Sequence, residues 1–191
     1  KEGNSLKISG FFGCPCKAAG KLFAQRGYFG VSMQDIAKEV GISKAALYYH
    51  FKSKEKLCSA LMKNTFKELQ VHLNKSLARK ATPIKRLSNL IEAYLKFAYT
   101  RPEISLILHQ DISQEKELGK LGYKLRHQLL FLFQETIAKI KSKRQHYFRG
   151  PFIASSLLLS LLAKPLFFKH LSSRKITKGI ISILFPKFER G

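Results

Sequence analysis

Acidic residues are scarce in this 191-residue chain: 12 Asp and Glu stand against 35 Lys and Arg, a formal net charge of +23 at pH 7. Such a chain repels itself without an anionic partner, which makes nucleic acid and acidic membrane surfaces the leading classes of contact. Tryptophan is absent, and cysteine occurs only at Cys14, Cys16 and Cys58. An odd and small number of thiols builds no disulfide framework and fits the reducing cytoplasm, where the protein is expected to reside. Cys14-Pro15-Cys16 alone is too little for a metal site or a thiol switch. Long apolar runs are also missing. The longest, "LLLSLLA" at 157–163, is too short to span a bilayer and lies too far from the start to be a secretory leader, so no membrane partner is expected. Lys1 stands where Met would begin a chain, which leaves room for residues upstream. There is no P-loop, no H-E-x-x-H and no G-x-S-x-G, and the few acids form no catalytic pair. The expectation is therefore no enzyme, no cofactor and no metal.

What is present is apolar and helical. A hydrophobic content of 45% with 12% aromatics argues for a globular body despite the charge. Residues 1–57 carry 10 Lys or Arg and 4 Asp or Glu, while 58–191 carry 25 and 8, so the basic excess extends along the whole chain. Two readings of that excess stay open: solvated helix faces, or an anionic ligand and wider DNA contact.

No period-two alternation marks a strand, and the fold class expected is all-α. Leu57, Leu61, Met62, Phe66, Leu69, Leu73 and Leu77 recur at three and four, one face of a long helix bounded by Pro83. Ile84, Leu87, Ile91, Tyr94 and Ala98 continue in a second helix to Thr100, where Arg101-Pro102 breaks the pattern and a further helix is expected to start. Leu121, Leu125, Leu129, Leu132, Thr136, Ile137 and Ile140 form another stripe. Residues 151–171 are apolar around most of the circumference and suit a bundle centre or a subunit interface. A short amphipathic segment at about 174–185 closes the chain.

The stretch "SMQDIAKEVGISKAALYYHFKSKEKL" at 32–57 is the most informative. Ser32 and Asp35 make a capping arrangement for a short helix, Gly41 ends it where a left-handed residue is needed, and Ser43 caps a second short helix. Small Ala37 sits where the two helices cross, with Ile36, Val40, Ile42 and Leu47 supplying the inner faces, which is helix-turn-helix spacing. The outer face of the second helix carries Lys44, Ala45, Tyr48, Tyr49 and His50. Lys44 offers charge to a phosphate or hydrogen bonds to a base edge, Ala45 permits close approach, and the rings give planar apolar surface with polar tips. Ser53 caps the next helix and places Lys54 where a phosphate is expected.

Ala18 to Met62, with "LF…RGY", "DIA…GIS" and "LYYHFKSKEKL", resembles the DNA-binding domain of the tetracycline-repressor (TetR) family. The resemblance implies a homodimer that reads double-stranded operator DNA, each palindromic half met by the helix at about 43–50. It implies DNA contacts at Ser43, Lys44, Ala45, Tyr48, Tyr49, His50 and Lys54, with Ser32 and Tyr28 near phosphates. It also implies a small-molecule inducer bound among the helices after Leu57. On this reading residues 1–57 form the DNA-binding domain and 58–191 a helical ligand-binding and dimerisation domain. The first helix departs from the family pattern at Pro15-Cys16, Lys17 and Gly20, and is expected to start late or fray.

His109, Gln110 and Asp111 stand among apolar residues, and with Tyr94, Phe97 and Tyr123 they suit the lining of a mostly apolar ligand pocket, although such residues more often cap helices or satisfy one another in the core. The basic tract "KIKSKR" at 139–144 fits a helix C-terminus better than a DNA contact. Self-association is expected through 151–171 with the 121–141 stripe. The functional expectation is a ligand-responsive repressor. The alternative is a basic helical protein of membrane surfaces.

Overall fold

The computed structural model describes residues 5–78, 80–104, 115–140 and 172–185, with side chains from residue 15 onward and up to 182, and again at 185. Every regular element among them is helical: α1 (Ser5–Arg26), α2 (Met33–Val40), α3 (Lys44–His50), α4 (Lys54–Leu77), α5 (Pro83–Thr100), α6 (Lys116–Ala138) and α7 (Ser173–Leu184), with a 3-10 turn at Pro102–Ile104. The expected "LILHQD" segment with His109, Gln110 and Asp111, the tract from 141 to 144, and the apolar helix at 151–171 lie outside the described residues.

Helix ends follow from single residues. Thr82 caps α5, its hydroxyl accepting the Lys85 N–H at 3.4 Å, and Pro83 fills the first turn, where its missing N–H costs nothing. The helix stops at Arg101, whose N–H still reaches the Phe97 carbonyl at 2.9 Å before Pro102. A 3-10 turn at Pro102–Ile104 follows, and the residues after it, where a helix is expected to restart, lie outside the described ones. Ser172 caps α7 in the same way as Thr82 caps α5.

The chain divides into two compact units. The first joins Lys1–Phe66 to Pro102–Tyr123, and the second joins Lys67–Arg101 to Lys124–Gly191. The division falls inside α4 and α6, and the 3-10 turn at Pro102–Ile104 goes with the N-terminal helices. In the first unit Phe23, Ile36, Leu47, Leu57 and Met62 are fully buried. α1 packs on α2, α2 on α3, and the 3-10 turn on α1. In the second, Leu73, Leu87, Leu90, Ile91, Tyr94 and Phe133 form the core, with α7 against α5. The rings of Tyr94 and Phe133 meet edge to face at 6.4 Å. Arg101 pairs with Glu68 on α4.

The first helix corrects an expectation. α1 runs unbroken from Ser5 to Arg26 with Pro15 inside it, neither late nor frayed. Glycine at 20 allows a close approach: a Cβ there would lie a tight 3.3 Å from both Cβ and Cγ of Glu103, in the turn that packs on this helix. The propensity cost of a mid-helix glycine, about 1 kcal/mol, is offset by burial of Ala19, Leu22 and Phe23 on the same helix.

Candidate nucleic-acid interface

Three serine caps set the geometry of α2, α3 and the start of α4. The Ser32 hydroxyl accepts the Asp35 N–H at 3.1 Å and donates to its carboxylate at 2.6 Å, while the Ser32 N–H donates to the same carboxylate oxygen at 2.8 Å. Those bonds from Ser32 hold the Asp35 carboxyl below its ordinary range. Gly41 adopts φ 77°, and the Ile42 N–H returns to the Ala37 carbonyl at 3.0 Å, so the chain reverses over one left-handed residue. Ser43 accepts the Ala46 N–H at 3.1 Å and Ser53 the Lys56 N–H at 3.1 Å. Lys21 on α1 pairs with Glu39 on α2 at 2.7 Å, which lowers the Glu39 carboxyl in turn.

Leu47 then decides which way α3 faces. It is fully buried with Ile36 and Ala37, so Lys44, Ala45, Tyr48 and Tyr49 turn to solvent. Tyr48 is 39% exposed and Tyr49 76%. Lysines flank both rings: Lys44 Nζ stands 5.9 Å from the Tyr48 centroid and Lys52 Nζ 6.0 Å from that of Tyr49. His50 is half-buried and meets Tyr49 edge to face at 5.2 Å. Ser32 and Ser43 are exposed at the amino ends of α2 and α3. The result is a convex helix face offering cations, hydroxyls and planar apolar rings, the chemistry that phosphates and base edges accept.

Other expected residues sit differently. Tyr28 is buried against Phe23, ring centroids 5.5 Å apart, and burial, with Glu115, Cys58 and Glu55 adding, pushes its phenol well up. Lys54, expected at a phosphate, points its ammonium into the domain, donating to the carbonyls of Tyr28 and Val31, each at 3.1 Å. Tyr94 and Phe97 are buried in the second unit, whereas Tyr123 is 60% exposed at the end of the first. Tyr94 and Phe97 thus share one core, and Tyr123 belongs to the other unit. Sequence reasoning missed Phe29, a 53% exposed ring beside Tyr28 in the turn before α2. An apolar ring between Tyr28 and the small Gly30 was the available signal.

Cys16 and Cys58 are free thiols that burial pushes up, to about 11 and about 12. At neutral pH both stay protonated and poorly nucleophilic. Among the described residues no group of His, Cys, Asp and Glu could hold a metal ion, and no helix is long and apolar enough to cross a membrane.

Residues 16–61, the segment that builds this face, match the profile of bacterial regulatory proteins of the tetR family. Over those residues the chain belongs to that family. It is 30% identical over 108 residues, 56% of this chain and 55% of the relative, to the biofilm operon icaADBC HTH-type negative transcriptional regulator IcaR of Staphylococcus epidermidis. The chain spans about half of the length of several of the curated relatives it matches. Its fold superposes on the TetR family transcriptional regulator PfmR from Thermus thermophilus with a TM-score of 0.75 at 26% identity, covering 93% of this chain and 96% of that one. The fold of AibR, solved in complex with isovaleryl coenzyme A and operator DNA, gives 0.77 at 23% identity, covering 93% and 99%. The chain therefore shares its fold with these proteins over nearly all its length, and its sequence most clearly over residues 16–61.

Proposed function

We propose that this TetR-family chain is a ligand-responsive DNA-binding regulator, acting as a repressor that holds a palindromic operator as a homodimer and leaves it when a small-molecule inducer binds. The observation that carries the reading is the orientation of α3: Leu47 inward, Lys44, Ala45, Tyr48 and Tyr49 outward. Tyr48 and Tyr49 supply base and sugar contact, Lys44 a charged donor, and Ala45 room for close approach. The exposed hydroxyls of Ser32 and Ser43 and the ring of His50 orient the head on the backbone, while buried Tyr28 supports the turn beneath them. Repression accords with the negative regulator IcaR, and a ligand-responsive mechanism with AibR, whose complex holds both a coenzyme A thioester and operator DNA.

The inducer is assigned to the helices after Leu57, with Tyr94 and Phe97 of the second unit as its nearest aromatic neighbours. An anionic inducer suits the 25 basic residues against 8 acidic ones in 58–191. Its binding shifts α4, which begins directly after the reading helix, and carries the two heads away from the roughly 34–36 Å spacing of one DNA turn. Selection of duplexes from a random pool, run beside flotation with anionic liposomes, tests the proposal. Enrichment of an inverted repeat without lipid association supports it. Lipid association without sequence enrichment overturns it in favour of a membrane-surface protein.

A further inference from the structure

The ammonium of Lys54 sits where its position in the sequence does not lead one to look for it. Lys54 opens α4, directly after the reading helix, where a surface cation would meet a phosphate. Its Nζ instead donates to the Tyr28 and Val31 carbonyls, each at 3.1 Å, in the turn that joins α1 to α2. It also stands 4.1 Å from the Tyr28 ring centroid and 5.9 Å from that of Phe29. Two charge-assisted hydrogen bonds and a close cation–π contact give three directions of restraint on one atom. The side chain is half-buried, so these contacts act with less competition from water than surface pairs do. The carbonyls belong to the turn that ends at the Ser32 cap, and the lysine belongs to the helix that follows α3. A single side chain therefore brackets the helix-turn-helix, fixing its entry to its exit.

We infer that Lys54 is a positioning residue, a latch that pins the turn before α2 to the first residue of α4 and so sets the angle of the reading helix, and not a phosphate contact. The inference rests on the DNA-binding reading above. It assigns to this ammonium the link through which a displacement of α4 reaches the turn carrying Ser32. A lysine neutralising a phosphate releases a counterion, whereas a latch does not. The salt dependence of operator binding therefore separates the two roles.

The test uses the full chain and an operator duplex selected as above. Lys54→Met keeps the stem and removes the charge. Affinity is expected to fall about tenfold, from loss of the two charge-assisted bonds, with the slope of log K against log salt unchanged. A slope shallower by about 0.9 for each phosphate released, roughly two for a pair of heads, overturns the inference, as does unchanged affinity. The unmutated chain, labelled with nitrogen-15 at lysine, gives a second reading that needs no variant. One ammonium signal, slow to exchange, ring-current shifted and in contact with Tyr28 ring protons, is expected both free and on the operator. Its absence, or its loss when DNA is added, overturns the latch. Failure of the unmutated chain to select any duplex would instead strike the DNA-binding reading itself.

Discussion

Tyr49→Ala is the perturbation that most cleanly separates recognition from folding. The ring is 76% exposed, so its removal takes little apolar surface out of the folded core. Its flanking contact with Lys52, 6.0 Å from the centroid, is of the exposed kind worth about 0.5 kcal/mol. Stability in urea should therefore change by no more than about 0.5 kcal/mol. Operator binding should fall much further: loss of a ring stacked on sugar or base removes about 1–3 kcal/mol per head, between about 5-fold and 150-fold in affinity. Leu47→Ala, two residues away and fully buried, should behave in the opposite sense, losing about 2–5 kcal/mol of stability. Urea melts followed by circular dichroism and fluorescence anisotropy with labelled operator give the two numbers for each variant. A Tyr49→Ala protein that melts like the Leu47→Ala protein, or that binds operator like the parent, would refute the assignment of faces on α3.

Two further outcomes follow from buried and capping groups. Thr65 Oγ1 is buried with no hydrogen-bond partner among the described residues, so Thr65→Val, which keeps the shape and removes the hydroxyl, should raise the urea stability by about 1 kcal/mol, and a loss would show that the oxygen is satisfied in solution. The Asp35 carboxyl is held below its ordinary range by Ser32, so its contribution to stability is complete above the unfolded value of about 3.9 and is lost as pH falls through the lower folded value. The acid limb of the stability profile should accordingly flatten in Asp35→Ala, and an identical limb in both proteins would contradict the cap.

Much of the reading head was legible in sequence because its signals are local. Ser32 with Asp35, Gly41, and Ser43 act within three or four residues, and each performs the expected capping or turn role. The burial of Leu47 followed from the 3.6-residue repeat, which also fixed the exposed face. The same repeat placed Tyr94 on the inner stripe of α5, where it is fully buried. What sequence could not supply was contact between distant segments. Gly20 reads as a helix breaker until Glu103 is seen against it, and Lys54 reads as a surface cation until the Tyr28 and Val31 carbonyls are found beside it. Likewise the packing of the 3-10 turn at Pro102–Ile104 on α1 leaves no mark in composition.

Dimethyl sulfate footprinting of the selected operator tests the central claim most directly, because guanine N7 lies in the major groove and adenine N3 in the minor. With α3 as the reading helix, N7 protection should appear in two patches with centres about 10 base pairs apart, and fade in Tyr49→Ala. Protection confined to adenine N3, or N7 protection undiminished in that variant, would contradict the account.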